Sequence, residues 1–270
     1  EWGGYTKKYH AGREVLLAFQ GIPAEPLPAP PALQNIGPVA LTQQYSFLHN
    51  ATKIGKRHRS VMTRSMEYYG QNFGFILYHH DLKGPYEASK LFIDGLADRA
   101  YVYVNGQLRG MVYRNDKKKF VSIEALPDGG SLDILVEAMG RVNYGPELHD
   151  RKGVRQIRLN NQVLFNWDVY TLPLDNIDAL DYSGSEDFPA FLKGRFTTNS
   201  QADCFVHLKG FTKGYVFING FNLGRYWKIG PQKSLYVPGT ILKQENEIIV
   251  LELEGCRANE VEITDYHDIG

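Results

Sequence analysis

Three ionisable residues, Glu147, His149 and Asp150, follow Gly145 and Pro146 closely enough to suggest acid–base chemistry. Carboxyl and imidazole groups are the side chains that most often transfer protons in enzymes. A polar surface loop has the same composition, and we favour that interpretation because the acidic residues of this chain lie mostly in turns or alternate along strands. The sequence has no zinc or calcium ligand spacing, phosphate-binding loop or dinucleotide fingerprint. We therefore predict neither a metal ion nor a cofactor.

Aromatic side chains form the second group of candidates, because sugar-binding sites on β-sandwiches place flat rings against the apolar face of a sugar. The candidates for such contacts are Trp167, Tyr226 and Trp227. Trp167 ends a strand-like run, so packing between two sheets is the alternative role for it. Trp227 lies two residues after Arg225, so stacking on that guanidinium, or closing the edge of a sandwich, is the alternative for Trp227.

A short loop bracketed by Gly140 and Gly145 carries three good hydrogen-bonding side chains, Arg141, Asn143 and Tyr144. It follows directly after a strand-like segment, so a core strand would hold its start in place. Side chains of this kind suit either a sugar ligand or a contact with another domain. Both interpretations stay open from the residues alone.

Residues 6–19 differ from the rest of the chain because they predict an amphipathic helix. The apolar side chains Tyr9, Val15, Leu16 and Phe19 fall near one helical face, and Gly21 stands where a helix would end. A single helix of this length is marginal alone, and no other segment looks helical enough to partner it. A proline-rich run from 22 to 31 then predicts an extended linker, since proline fixes φ and lacks a backbone donor.

Beyond residue 36, short runs rich in Val, Ile, Tyr and Phe alternate with Gly, Asn and Asp turns, which is typical of β-sandwiches. The segment YVYVNG at 101–106 recurs 114 residues later as YVFING at 215–220. Gly110 and Gly224 keep this offset, and so do the segments 133–136 and 247–250. Each Asn-Gly pair suits a tight hairpin turn. The sequence therefore predicts two related β-units in tandem.

Charge and composition argue against several classes of function, although they do not exclude a local basic patch. Lys plus Arg and Asp plus Glu each number 30, so the net charge is zero, whereas binding of nucleic acid or of an anionic membrane needs excess positive charge. No apolar stretch approaches the roughly 18 residues that span a membrane. The two cysteines, Cys204 and Cys256, are expected to be free thiols. This low cysteine count favours, weakly, the cytoplasm of a bacterium.

Longer motifs resemble the β-domains of family 35 glycoside hydrolases, the β-galactosidases. The segments that resemble the first β-domain are 74–78, 98–106, 132–137 and 139–145, and those that resemble the second are 219–227, 230–232, 235–239 and 251–255. Residues 5–19 resemble the last helix of that family's catalytic barrel. The similarity runs over nearly the whole chain, in order.

The resemblance implies a parent enzyme whose (β/α)₈ barrel precedes these domains and carries a retaining mechanism. In such an enzyme one Glu is the acid/base and a second Glu is the nucleophile, with carboxyl groups about 5–5.5 Å apart. The barrel motifs that bear those glutamates do not occur in this sequence, so we assign no catalytic residue and expect this chain alone to be inactive. We further hypothesise that the loop at 140–145 leans on the barrel, with Tyr144 nearest the galactose pocket. The alternative is that this loop makes only a contact between domains and does not reach the pocket.

The resemblance also sets the expected fold class. We predict an all-β protein with two tandem jelly-roll or galactose-binding-like β-sandwiches, preceded by one short helix from the barrel. The expected boundaries are a helix at 1–21, a Pro-rich linker at 22–35, bridging strands at 36–70, a first sandwich at 71–184 and a second at 185–270. Whether residues 36–70 add strands to one sandwich or bridge the two stays open.

Three functions are compatible with these features. The chain is a module that packs on the barrel of a β-galactosidase and aids substrate choice or oligomerisation, a stand-alone carbohydrate-binding module, or a purely structural unit. The unpaired helix at 6–19 favours the first, because an independent binding module has no use for it. The expected partners are the missing barrel and, in the parent, a β-galactoside. A homodimer is an open alternative, and neither nucleic acid nor a membrane is expected.

Overall fold

The computed structural model describes residues 2–181 and 187–270, and antiparallel β-strands are its main regular secondary structure. The helices are α1 (Lys7–Gln20) and α2 (Phe47–Ile54). The strands are β1 (Gly37–Ser46), β2 (Lys56–Ser60), β3 (Phe75–Leu82), β4 (Ser89–Asp94), β5 (Arg99–Val104), β6 (Gln107–Tyr113), β7 (Phe120–Ile123), β8 (Gly130–Glu137), β9 (Gln156–Leu159), β10 (Gln162–Val163), β11 (Trp167–Leu172), β12 (Ala190–Thr197), β13 (Cys204–His207), β14 (Lys213–Ile218), β15 (Phe221–Trp227), β16 (Ser234–Val237), β17 (Glu245–Glu252) and β18 (Glu260–Thr264). The predicted all-β class is confirmed.

Helix α1 begins and ends at the residues that the sequence indicates. The Thr6 hydroxyl accepts a hydrogen bond from the backbone N–H of Tyr9, and Gly21 ends the helix in the left-handed region with φ of 65°. In the described part of the chain, neither α1 nor α2 is long and apolar enough to cross a membrane. Helix α2, which the sequence analysis did not predict, follows β1 without a break.

The chain divides into two compact units. Unit 1 comprises residues 1–47 and 183–270, and unit 2 comprises residues 48–182. Residues 36–70, assigned to bridging strands from the sequence, divide between the units, because β1 lies in unit 1 whereas β2 and most of α2 lie in unit 2. The expected boundary between the sandwiches, at 184 and 185, lies outside the described residues. In the order of the chain, unit 2 is therefore inserted into unit 1.

Unit 2 has two antiparallel sheets around one apolar core. The larger sheet has the strand order β2-β11-β3-β8-β5-β6, and the smaller one has the order β10-β9-β4-β7. All six residues of β5 are buried, as expected for a strand covered on both faces. The core draws on both sheets and includes Tyr78, Val102, Ile134, Ile157 and Trp167.

Unit 1 has eight strands in the order β15-β14-β17-β12-β1-β18-β13-β16. Strand β1 joins two halves of this arrangement, because residues 37–40 pair with β18 whereas residues 41–46 pair with β12. A register shift between Leu41 and Gln43 marks the change of partner, as β-bulges commonly do. The core of unit 1 includes Val39, Val206, Val216, Val250 and Ile263.

The hairpins of the internal repeat, β5-β6 and β14-β15, have the same backbone geometry. Asn105 and Asn219 both have φ of 51°, and the glycines that follow them have φ of 75° and 81°. Such left-handed pairs favour Asn-Gly in two-residue turns. Each hairpin also shifts register at the equivalent point, after Val102 and after Val216. The two hairpins are therefore the same structure, 114 residues apart.

One predicted correspondence within the repeat is wrong. The backbone N–H of Asn105 donates to the backbone oxygen of Ser131, and the side-chain oxygen of Asn105 accepts from the backbone N–H of Ser131. Asn219 makes the same two hydrogen bonds with Glu247. Glu247 lies 116 residues after Ser131. Glu247 is therefore not equivalent to Asp133, as the offset of 114 suggested. A shift of two residues returns every side chain of a strand to the same face. The apolar pattern consequently matches almost equally well at either offset.

The units also differ in the source of one strand. In unit 2, strand β3 lies between β8 and β11, and β11 comes from the C-terminal end of that unit. In unit 1, the equivalent strand β12 lies between β17 and β1, and β1 comes from the N-terminal end of that unit. The two units therefore have the same arrangement of neighbouring strands, but one strand of the arrangement comes from opposite ends of the two units. Unit 1 completes its sheet only with residues that precede unit 2, which explains why unit 2 interrupts it.

Candidate functional site

The loop between β8 and β9 carries three of the predicted contact residues, and ion pairs hold it at both ends. Arg141 donates to Oε1 of Glu67 at 2.5 Å and to the backbone oxygen of Asn72 at 2.7 and 3.1 Å. Glu67 also accepts from the backbone N–H of Lys152 at 3.0 Å. Burial opposes ionisation of Glu67, yet these hydrogen bonds outweigh it and lower the pKa of Glu67. Arg141 therefore fastens the loop to residues 67–72.

The middle of the same loop is open to solvent. The side chain of Tyr144 is 89% exposed, and Asn143 is also exposed. An exposed aromatic ring on a loop fastened at both ends has the surface that a ligand or a neighbouring domain would contact. Arg141, Asn143 and Tyr144 are thus brought together on one loop, with Arg141 already paired and Tyr144 available.

A largely buried network of charges connects the second half of this loop to Asp98 and Arg114. Lys152 is 1% exposed and donates to both carboxylate oxygens of Asp98, at 2.9 and 2.8 Å, and to Asp150 at 3.1 Å. Arg114 donates to Asp98 at 2.7 Å, to Asp150 at 2.5 Å and to Glu147 at 2.9 Å. Buried charges persist when they are paired and hydrogen-bonded in this way.

These contacts decide what Glu147, His149 and Asp150 do. Burial opposes ionisation of Asp150, but hydrogen bonds from Arg114 and Lys152 outweigh it and lower the pKa of Asp150. A carboxylate held ionised in this way does not supply a proton at neutral pH. Glu147 is paired with Arg114, and His149 is exposed. Glu147 and Asp150 therefore belong to a structural ion network rather than to an acid–base site.

A cavity of about 610 Å³ lies beside the network, with walls formed by residues 62–65, 95–97, 150–151 and 153–155. The Tyr78 hydroxyl joins two of these walls, because it donates to the backbone oxygen of Arg64 at 2.6 Å and accepts from the backbone N–H of Val154 at 3.2 Å. The Thr63 hydroxyl adds a bond to the backbone oxygen of Arg155 at 2.9 Å. The walls are consequently fixed by the core of unit 2.

Gly153 makes the close approach to Tyr78 feasible. Its φ is 116°, and a Cβ atom at this position would stand 2.4 Å from the Tyr78 hydroxyl oxygen. The backbone N–H of Ala97 donates to the backbone oxygen of Gly153 at 2.9 Å, and the backbone N–H of Gly153 donates to the backbone oxygen of Ala97 at 2.6 Å. These two bonds fix the third wall. Only glycine satisfies both the backbone angle and the contact.

The remaining predicted contact residues lie in or near the cores. Trp167 is 1% exposed and donates from Nε1 to the backbone oxygen of Leu164 at 3.0 Å. Tyr226 is 5% exposed, with its hydroxyl 2.9 Å from Oε2 of Glu252. Trp227 is half-buried, and Nζ of Lys213 lies 4.9 Å from its ring centroid. The rings of Trp167 and Tyr226 pack inside their units, and that of Trp227 is partly covered. Among the predicted aromatic residues, Tyr144 therefore has the largest exposed fraction.

Glu252 is a carboxyl group whose environment favours a proton. Burial raises the pKa of Glu252, and hydrogen bonds from the backbone of Glu254 and Thr212 and from Tyr226 offset this in part. Its side chain is fully buried in unit 1, so no substrate reaches it. Among residues 2–181 and 187–270, no group of three or more His, Cys, Asp or Glu residues could hold a metal ion.

Sequence reasoning missed the residues that organise this site, Asp98, Arg114 and Lys152. Asp98 and Lys152 are 54 residues apart, and no local motif connects them. The available signal was weak, namely an Asp-Arg pair at the start of the apolar strand β5.

Comparison with known proteins identifies the class to which this arrangement belongs. Residues 63–173, within unit 2, match the family model described as "Beta-galactosidase, first all-beta domain". Residues 189–247, within unit 1, match the model described as "Beta-galactosidase, galactose-binding domain". The chain therefore consists of non-catalytic β-domains of a glycoside hydrolase, and the family to which it belongs is the β-galactosidases.

Curated relatives support the same assignment. The chain is 36% identical to "Beta-galactosidase" of Mus musculus over 294 residues and 37% identical to "Beta-galactosidase-1-like protein" of Mus musculus over 281 residues. Each alignment covers 96% of this chain, but 45% and 43% of the relatives. The chain thus spans less than half the length of the relatives it matches. A solved lectin of Pleurotus ostreatus aligns over 89% of this chain and 79% of its own, at 10% identity and a TM-score of 0.25.

Proposed function

We propose that this chain is the non-catalytic C-terminal portion of a retaining β-galactosidase of glycoside hydrolase family 35. The observation that carries the proposal is the pair of family matches, one in each unit, in a chain that spans 45% of its mouse relative. In the parent enzyme a (β/α)₈ barrel would supply the two catalytic glutamates. The β-domains described here would pack on that barrel and support it.

The exposed face of α1 supports the proposal of a barrel partner. Helix α1 has no buried residue, and Val15, Leu16 and Phe19 are 69%, 61% and 89% exposed. A helix of this length with an open apolar face gains most of its stability from a surface that covers it. We propose that the barrel of the parent enzyme is that surface.

The loop at 140–145 would then contribute to the galactose pocket. The β8–β9 loop that contains these residues is fastened at its start by Asp98, whose Oδ2 accepts from the backbone N–H of Met139 at 2.7 Å, and at its end by Glu67, which accepts from the backbone N–H of Lys152 at 3.0 Å. A fastened loop with an exposed Tyr144 can place that ring against a neighbouring domain at low entropic cost. We propose that Tyr144 lies at the rim of the pocket in the parent enzyme.

Replacing Tyr144 with alanine in the full-length enzyme tests this role. We expect kcat/KM for an aryl β-galactoside and for natural disaccharides to fall by about tenfold, because a lost ring contact in the transition state of roughly 1.4 kcal/mol has that effect. The melting temperature should stay unchanged, since the exposed ring contributes little to packing. Tyr266→Ala, an exposed tyrosine of unit 1 (53% exposed), is the matched control and should leave kcat/KM unchanged.

The opposite pattern would contradict the pocket role. If Tyr144→Ala leaves kcat/KM unchanged for both substrate types and lowers stability, the loop serves only as an interdomain contact. The membership in a β-galactosidase would stand in that case, because it rests on the family matches and not on this loop.

A further inference from the structure

Four arginine side chains, Arg64, Arg114, Arg151 and Arg155, line the cavity of unit 2, and Asp150 is the acidic residue that lines it. Arg114 is already paired with three carboxylates. In the part of the chain that the structure describes, no ion pair engages the other three guanidinium groups. A protein whose net charge is zero therefore concentrates unpaired positive charge on one concave surface.

Two of the four arginines, Arg155 and Arg64, make close contacts that limit where their side chains lie. The side chain of Arg155 lies across Gly95, so close that a Cβ atom on Gly95 would come within 2.7 Å of its Cβ and 3.4 Å of its Nε. The guanidinium of Arg64 lies over the ring of Tyr68, 5.2 Å from the centroid. Guanidinium groups held in place lose less entropy when they pair with an anion.

The same cavity has an apolar side. Its lining includes Tyr68, Met62, Leu96 and Val154, and the Tyr68 ring is 63% exposed. An aromatic ring offers a flat apolar surface to a pyranose. Guanidinium groups pair in a bidentate manner with carboxylate or sulfate oxygens. A neutral sugar would leave the arginines unused, and a small inorganic anion would leave the apolar side empty.

We propose that this cavity binds an anionic saccharide, a sugar ring that carries a carboxylate or a sulfate ester. The anionic group would pair with Arg151 and Arg155, and the ring would rest against Tyr68. A volume of about 610 Å³ lies within the range of small-ligand sites. This inference does not depend on the β-galactosidase assignment, because it rests on the charge and shape of unit 2 alone.

Calorimetric titration of the whole chain tests the proposal with methyl β-D-galacturonide and galactose 6-sulfate as probes. Galactose is the neutral control, and inorganic sulfate is the control for the anion alone. We expect saturable binding of at least one anionic sugar, weakened at high salt because the charges are partly exposed. Galactose and inorganic sulfate should each bind at least about tenfold more weakly, since each offers half of the contacts. The carboxylate and sulfate probes identify which anionic group the cavity prefers.

The double variant Arg151→Gln/Arg155→Gln locates the site. Both side chains are exposed, so the fold should be retained, as an unchanged melting temperature would verify. We expect it to lose about tenfold or more in affinity for the anionic sugar, because charge-assisted hydrogen bonds are lost. The control Lys117→Gln/Arg257→Gln removes the same charge from exposed positions outside the cavity and should bind within about twofold of the unmodified chain. Tyr68→Ala should weaken the sugar but not inorganic sulfate.

Three results would each overturn the proposal. The first is equal affinity for galactose and its anionic derivatives, or no binding of any of them. The second is inorganic sulfate binding as tightly as the anionic sugar, which would reduce the cavity to an anion site. The third is unchanged affinity in Arg151→Gln/Arg155→Gln with the melting temperature preserved.

Discussion

Replacing Lys152 with methionine should lower the free energy of unfolding of unit 2 by about 3–5 kcal/mol, the typical cost of removing one partner from a buried ion pair. Lys152 is 1% exposed, and its ammonium group donates to Asp98 and to Asp150. Methionine keeps most of the side-chain volume but leaves Asp98, itself 5% exposed, with less compensation for its burial. Trp167 is the single tryptophan of residues 48–182, so in a background with Trp2→Phe and Trp227→Phe its fluorescence during urea unfolding reports on this unit.

The matched control for Lys152 is Lys118→Met, which makes the same chemical change at an exposed position. Surface changes of this kind are usually within about 0.5 kcal/mol. Adding Asp98→Asn to Lys152→Met should cost less than the sum of the two single changes, because both act on one network. A loss below about 1 kcal/mol for Lys152→Met would contradict the view that this network holds the loop and the cavity walls.

The network also predicts the direction of a pH effect. The pKa of Asp150 is lowered below its ordinary value of 3.8, so its ion pairs contribute fully above that value and are lost as the pH falls through the lower folded pKa. The difference in unfolding free energy between the unmodified chain and Lys152→Met should therefore narrow in strong acid. It should stay constant from mildly acidic to neutral pH if Asp150 remains ionised there.

Trp167→Ala should cost about 3–5 kcal/mol, the usual range for removing a large aromatic side chain from a core. Trp167 is buried between the sheets, donates to Leu164 and meets the ring of Tyr78 edge-on, with centroids 6.4 Å apart. Alanine would remove these contacts and leave a cavity. Urea unfolding followed by far-ultraviolet circular dichroism measures the effect, because the variant lacks the fluorescent probe.

Two variants calibrate the result for Trp167. Trp167→Phe retains a ring and should cost clearly less than alanine, since it loses the indole N–H bond and part of the volume. Trp227→Ala removes the same side chain from a half-buried position and should also cost less. Unchanged stability in Trp167→Ala, together with weaker binding of a sugar, would show that this ring contacts a ligand instead of the core.

Features that depend on local chemistry were readable from the sequence. The Asn-Gly turns at 105 and 219 need a left-handed backbone, and they adopt it. Thr6 and Gly21 cap α1 through contacts within a few residues. The alternation of apolar residues was sufficient to assign an all-β class, because strand burial follows a period of two.

Features that depend on partners distant in the sequence could not be predicted from the sequence. Strand β1 pairs with β12, about 150 residues further along the chain, and nothing in residues 37–46 specifies that partner. Period-two alternation also hides a shift of two residues, which is why the repeat was aligned incorrectly at Glu247. Trp167 was ambiguous because a buried ring and a sugar-binding ring share the same chemistry. Only the fold shows which surface covers each ring.

The loop at 140–145 illustrates both cases. Its composition marked Arg141, Asn143 and Tyr144 as candidates, and the structure places all three on one loop. The composition did not show that Arg141 pairs with Glu67. It also did not show that Lys152 anchors the far end of the β8–β9 loop. Burial and pairing separate the side chain that holds the loop from the one that remains open for contact.

Hydrolysis of p-nitrophenyl β-D-galactoside tests the central claim most directly, namely that this chain holds the β-domains of a β-galactosidase without its active site. The chain alone should release nitrophenol no faster than buffer, because Glu147 and Asp150 are ion-paired and Glu252 is sealed in a core. A longer polypeptide that also contains the proposed catalytic barrel should hydrolyse the substrate with retention of configuration. Turnover by the chain alone above the buffer rate, persisting through repurification, would contradict the claim.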